Sequence, residues 1–198
     1  MAGYPAIAGV SQAIVGLLTS AAAGSEFANA SFTLASAADL QKAPTEQPVA
    51  NVFLYRVAVN TARRNLPSRR NPDGSLRLPP VPVDLHYLLV SSAKVPVTQH
   101  RLLGWCLRVI QDTPTLNAGF LNQFGPETDV FRPDETVELI WETLTRQEMT
   151  DAWEVAKANQ QPSVSYIARI VEIESRVDLT EYAPVQTRDL RYAGVGAG

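Results

Sequence analysis

The chain has 198 residues, 45% hydrophobic and 19% charged, with a net charge of −3; this composition suits one folded domain with room for a short extension and excludes a wholly disordered chain. Cys106 is the only cysteine, and His86 and His100 are the only histidines, which excludes a disulfide scaffold, CxxC redox chemistry and a metal centre built from cysteines or several histidines. No uncharged run reaches the ~18 strongly apolar residues of a spanning helix, and the mild acidity argues against general nucleic-acid binding.

Residues 4–23, YPAIAGVSQAIVGLLTSAAA, carry Ile7, Val10, Ile14, Leu17 and Leu18 at helical spacing, with Pro5 suited to the first turn. No Lys or Arg precedes the run, so it reads as a mature amphipathic helix rather than a cleaved signal. A strand is predicted at Ser31–Ser36, with Phe32 and Leu34 on one face, and a loop over 37–48. VANVFLYRVAVN (49–60) is a strong strand, with Val52 and Leu54 on one face and Phe53, Tyr55, Val57 and Val59 on the other. Apolar residues on both faces predict a central strand covered on both sides.

Residues 61–82 leave the sheet: NLPSRRNPDGSLRLPPVP is rich in proline and contains an NPDG turn signal. VDLHYLLVSSA (83–93) is the next strand and is expected to form a hairpin with 49–60, across a long loop that carries most of the arginines. A helix follows over 98–111, with Thr98 as the expected N-cap and Leu102, Leu103, Cys106, Val109 and Ile110 as its buried stripe. Residues 115–125 are a short helix or a loop, and TVELIWETL (136–144) alternates Val137, Leu139 and Trp141 against Glu138 and Glu142, as a half-exposed strand does. Thr145 and Glu148 have capping-box spacing, and the helix they open buries Met149, Ala152, Trp153 and Ala156. SVSYIARIVEIES (163–175) is the last strand, apolar on both faces. The order of elements gives an α+β fold with a mostly antiparallel sheet flanked by helices over residues 1–176. Residues 177–198 form a C-terminal arm without a core of its own.

Charge is unevenly spread along the chain. Residues 1–99 hold 8 Lys+Arg against 5 Asp+Glu, a net of +3, whereas residues 100–198 hold 9 against 15, a net of −6. Six of the 17 basic residues fall within 56–77, and only three of the 17 are lysine. Arginine is the residue for planar pairing with carboxylates, so a basic front half and an acidic rear half suit head-to-tail self-association.

The residues of known chemistries are missing. Asp84 and His86 stand two apart on a strand, as half of a triad would, but no GxSxG elbow accompanies them, and a surface or interface His–Asp pair accounts for them more simply. Glu138 and Glu142 fit a solvated sheet face better than a pair of catalytic acids, and Cys106 on an apolar stripe fits a core thiol. There is no Walker A, GxGxxG or HExxH pattern. The expectation is a protein that is not an enzyme, with no catalytic residues, no cofactor and no metal.

Five stretches in order carry a resemblance: YPAIAGVSQAI, NVFLYRVAVNTARRN (51–65), LPPVPVDLHYLL (78–89), LLGWCLRVIQDTP (102–114) and PSVSYIARIVEIES (162–175). Together they resemble the N-terminal domain family of the cap, or tail-terminator, proteins of extracellular contractile injection systems, the phage-tail-like particles that include antifeeding prophage and Photorhabdus virulence cassettes. The resemblance covers roughly residues 4–176, so the arm lies outside it. It implies a phage tail-terminator-like fold and a structural cap: a homo-hexameric ring on the last layer of inner tube protein, touching the last layer of sheath protein and ending both. The alternative it leaves open is another ring-forming tail adaptor, a tube terminator or joining protein. It further implies assembly in the cytoplasm, in a particle that is released or membrane-attached, with no nucleic acid bound and no direct membrane insertion.

A closed ring needs a heterologous interface, in which one surface of each copy meets a different surface of the next. The expected basic side is Arg56, Arg63, Arg64, Asn65, Arg69 and Arg70, facing Glu138, Glu142, Glu148 and Asp151. The arm is expected to add as a strand to a neighbour or to the sheath, with Leu179, Tyr182, Val185, Leu190 and Tyr192 as anchors.

Overall fold

The apolar stripe near the N-terminus becomes helix α1 (Ala6–Ala22), which turns Val10, Ile14, Leu17 and Leu18 into the core. The computed structural model describes residues 3–70, 74–125, 127, 129–158 and 160–179. After α1 come strands β1 (Ser31–Leu34), β2 (Val49–Val59), β3 (Arg69–Arg70), β4 (Leu76–Arg77) and β5 (Val81–Ser92). Helix α2 (Pro96–Asp112), strand β6 (Thr115–Asn117), helix α3 (Ala118–Phe124), strand β7 (Thr136–Glu142), helix α4 (Arg146–Ala156) and strand β8 (Ser163–Ile173) complete the order.

Six strands form one sheet in the order β1-β2-β5-β8-β7-β6, and β3 and β4 form a separate two-stranded ribbon. Every pairing in the large sheet is antiparallel except β1 with β2. Helices cover both faces, which gives the α+β fold with a mostly antiparallel sheet that the sequence implies. On one face α1, α2 and α3 pack over Val83, Leu85, Tyr87 and Leu89 of β5. On the other, Ala152, Trp153 and Ala156 of α4 meet Phe53, Leu88 and Val90. β5 is therefore buried on both sides, which is why its sequence is nearly continuous in apolar residues.

Small residues let α1 sit close to its neighbours. A Cβ at Gly16 would lie 2.4 Å from the Phe124 ring of α3, and one at Gly9 would lie 2.9 Å from Phe131. One polar contact crosses this core. Ser11 Oγ donates to Ile7 O at 2.9 Å and lies 2.8 Å from Tyr87 Oη. The serine's single proton is committed, so the tyrosine is the donor. Burial pushes the Tyr87 phenol well above its ordinary range.

Four local readings change. β2 carries a bulge between Leu54 and Arg56, which switches the side-chain alternation. Val57 and Val59 thus share a face with Leu85 and Val83, not with Phe53, and they are 48% and 53% exposed. The expected cover on both sides of 49–60 holds only for its first half. α2 begins two residues before the expected Thr98, with Val95 as N-cap and Pro96 at the first helical position, where proline's fixed φ favours a helix start. Residues 115–125 contain both a strand and a helix. Trp141 is 50% exposed although it continues the alternation of Val137 and Leu139. The arm's first residues run antiparallel to β4 of the same chain: Leu78 N–H donates to Val177 O at 3.2 Å, and Leu179 N–H to Leu76 O at 2.6 Å. Among the described residues, no helix is long and apolar enough to cross a membrane.

Candidate subunit interface

The arginine-rich excursion between β2 and β5 is anchored at its first residue. Asn60 is 5% exposed. Its Oδ1 accepts from Arg63 N–H at 3.1 Å, capping the short 3-10 turn Thr61–Arg63, while its Nδ2 donates to Asp84 Oδ1 and Oδ2 at 3.1 and 3.0 Å. Asp84 also faces Arg169 of β8 at 3.5 Å.

Further along, the chain folds back onto the end of β8. Arg69 pairs closely with Glu172, lies 3.1 Å from Glu174 and 3.6 Å from Glu135, and Arg132 pairs closely with the same Glu174. Arg63 approaches Glu172 at 3.9 Å. Glu135 is the strained member: burial holds its carboxyl above the usual carboxylate range, although Arg132 N–H bonds to it. Arg69 is thus spent on its own chain. Arg70 donates to Gly74 O at 2.9 Å, while Arg64 and Asn65 are exposed.

Strands β7 and β8 part beyond the Glu138–Arg169 pair. They leave a cleft of about 540 Å³ whose charged lining includes Arg63, Arg69, Glu135, Glu138, Arg169 and Glu172. Further along the same face of β7, where Glu138 and Glu142 both point away from Val137 and Leu139, a second pocket of about 320 Å³ is lined by Tyr55, Arg56, Glu142, Leu144, Glu148, Asp151 and Val155. The two expected charge sets are therefore not two opposed surfaces. Arg63, Arg69 and Glu138 share one cleft, and Arg56 shares the other pocket with Glu142, Glu148 and Asp151. Asp151 accepts from Gln147 at 2.7 Å, and Glu148 is engaged in the α4 cap.

Glu142 is the hub of a polar cluster. Its Oε2 receives Ser165 Oγ at 2.9 Å and Tyr55 Oη at 3.2 Å, and lies 3.2 Å from His86 Nδ1. His86 is 8% exposed, so the surface or interface His–Asp pair of the sequence reading is replaced: His86 is buried with Glu142, and Asp84 goes to Asn60 and Arg169. Sequence reasoning missed Ser165 and Tyr55 in this cluster, and no local spacing marks either. The serine hydroxyl meets the carboxylate and the tyrosine, an arrangement that ties strands together without presenting an activated nucleophile. Cys106 is buried, and burial pushes its thiol up to about 12, which suppresses the reactive thiolate. Among the described residues, no group of three or more His, Cys, Asp or Glu is placed to hold a metal ion. Of the arm anchors, Leu179 bonds to β4, and Tyr182, Val185, Leu190 and Tyr192 lie outside the described residues.

Residues 9–187 match the model of the Pvc16 N-terminal domain family. Among solved structures, the chain is similar to the sheath/tube terminator of an extracellular contractile injection system, PVC, in its extended state. That match has a TM-score of 0.59 at 15% identity and covers 96% of this chain and 64% of the other. It is also similar to the anti-feeding prophage tube terminating cap, with a TM-score of 0.49 at 20% identity, over 82% of this chain and 55% of the other. The chain spans less than two thirds of the length of either. No curated protein matches it. At these identities the likeness to solved structures is one of fold.

Proposed function

Because the chain belongs to the Pvc16 N-terminal domain family, we propose that it is the structural, non-enzymatic cap of an extracellular contractile injection particle, ending the inner tube and the sheath at the end distal to the baseplate. The observation that carries this reading is the family match, which runs from within α1 past the end of β8. The fold shared with the PVC sheath/tube terminator is consistent with it.

In this reading the cap is a homo-hexamer assembled in the cytoplasm, with inner tube protein and sheath protein as its partners. Copies meet head to tail, and the exposed residues Arg56, Arg63, Arg64, Asn65, Arg70, Glu138 and Asp151 lie at or beside the contact. Arg69 and Glu142 shape that surface from within the chain by holding the excursion and the central strands.

Electron microscopy of particles assembled without this chain tests the reading. Sheaths of uncontrolled length, or tubes lacking stable sheath, are the expected result. Particles of normal, regulated length would refute it.

A further inference from the structure

The second half of β2 is an open sheet edge. β1 pairs with β2 only from Val49 to Val52, and the last bond on that side runs from Ala35 N–H to Val52 O. Among the described residues no strand covers Leu54–Val59 on the side away from β5. Six residues span about 20 Å of unpaired backbone. Proteins blunt such edges with charge, proline or a covering segment. This one carries Arg56 as its only charge and no proline, and it ends on two valines that are 48% and 53% exposed.

The bulge aims those valines. Val57 and Val59 lie opposite Leu85 and Val83, on the face of the larger core. Val81, two residues before Val83 on β5 and thus on the same face, is 47% exposed. The edge is accordingly apolar on one face, while the other carries Arg56 and, across the pair, Asp84.

A segment with the complementary pattern lies in the same sequence. Residues 187–192 read Thr-Arg-Asp-Leu-Arg-Tyr, in which Leu190 and Tyr192, with Arg188 at the start of the same face, alternate with Asp189 and Arg191. Laid beside the open edge, Leu190 and Tyr192 fall on the valine face, and Arg188 lies at its rim with its aliphatic stem on the half-exposed surface and its charge in water. Asp189 and Arg191 then fall on the face of Arg56 and Asp84. The chain heads toward this segment from Leu179, which is bonded to β4, and β3 beside it is tied by Arg69 to the end of β8. A tail segment laid on the β2 edge of the next copy joins two different surfaces, as head-to-tail closure of a ring demands.

We propose that the open edge of β2, Leu54–Val59, receives residues 187–192 of a second copy as an added strand and so forms the contact between neighbours. This rests on the ring reading above and supplies its contact. Backbone bonds to the edge give affinity, and the valine face and Arg56 fix the register.

The test uses the single-cysteine additions V59C and L190C in the otherwise native chain, whose Cys106 is buried. Mixed in equal amounts and oxidised, they are expected to give a linked pair of chains on a non-reducing gel. A mixture of L190C with V155C, a control at an exposed site on α4, is expected to give none. V57D, at another exposed edge position, is expected to abolish the hexamer in light scattering while leaving circular dichroism unchanged. An intrachain link in the double variant V59C/L190C, with no linked pair from the mixture, would overturn the proposal by assigning the edge to the chain's own tail. A hexamer that survives V57D, or forms without residues 180–198, would overturn it too while leaving the ring reading intact. A protein that neither links nor forms a ring, even on purified tube, would overturn both.

Discussion

Residues from all four central strands converge on one oxygen: Glu142 Oε2 of β7 gathers Tyr55 of β2, His86 of β5 and Ser165 of β8. Removing an acceptor shared by half-buried groups costs about 1–3 kcal/mol, because the partners lose water and gain nothing. Glu142→Ala is expected to lower unfolding stability by about 2 kcal/mol in urea titration, and Glu142→Gln by less. The buried Cys106 thiol is expected to resist Ellman's reagent in native protein and to react at once in urea. Cys106 was legible as a core residue because its signal is local, an apolar stripe repeating every three or four residues. The Glu142 cluster was not. His86 and Glu142 are 56 residues apart and meet only once the order β2-β5-β8-β7 exists.

At the level of elements, α4 begins where the sequence says it should. Thr145 Oγ1 accepts from Glu148 N–H at 3.2 Å, and Glu148 Oε2 accepts from Thr145 N–H at 2.8 Å. Thr145→Ala is expected to cost about 1 kcal/mol, read as a shift of the urea midpoint. The two Thr145 donors hold the Glu148 carboxyl below the usual range. A lowered carboxylate pKa contributes stability above the unfolded value, about 4.3, and that contribution is lost as pH falls through the folded value. The native chain should therefore lose more stability than T145A between pH 6 and 3 in parallel urea titrations. The close approach of α1 and α3 gives the opposite kind of test. Gly16→Val places atoms where the Phe124 ring lies, and the expected loss is about 2 kcal/mol despite the gain over glycine in a helix. Neither the bulge in β2 nor the early start of α2 was legible: the first depends on cross-strand register, and the second on which of two nearby residues closes the turn before Pro96.

For the whole molecule, charge read along the chain gave the wrong picture of charge in space. The basic stretch and the acidic stretch interleave in two mixed clefts, because β2 and β7 lie within one sheet and the excursion returns to β8. In place of self-association driven by opposed charged faces, the contact proposed above is a mostly apolar edge with exposed arginines beside it. Arg64→Glu is accordingly expected to weaken the proposed hexamer several-fold at low salt, with the difference fading near 1 M, where the screening length is about 3 Å. Light scattering across a salt series measures it. The mostly antiparallel sheet and five of its six strands, by contrast, could be anticipated from their apolar alternation, whereas the three-residue β6 is too short to carry such a signal and the parallel pairing of β1 with β2 is set by the fold.

The clasp of Arg69 on Glu172 and Glu174 also has an entropic side. It divides the long connection between β2 and β5 into shorter loops, each closed on a fixed point of the sheet. The cost of closing a loop grows only with the logarithm of its length, about 0.6 kcal/mol per doubling. The stretch from Arg64 to Ser68, between one anchored end at Asn60 and the other at Arg69, is therefore free to lengthen or shorten through evolution at little thermodynamic cost. The sheet would keep its shape while the outline that each copy offers its surroundings drifts.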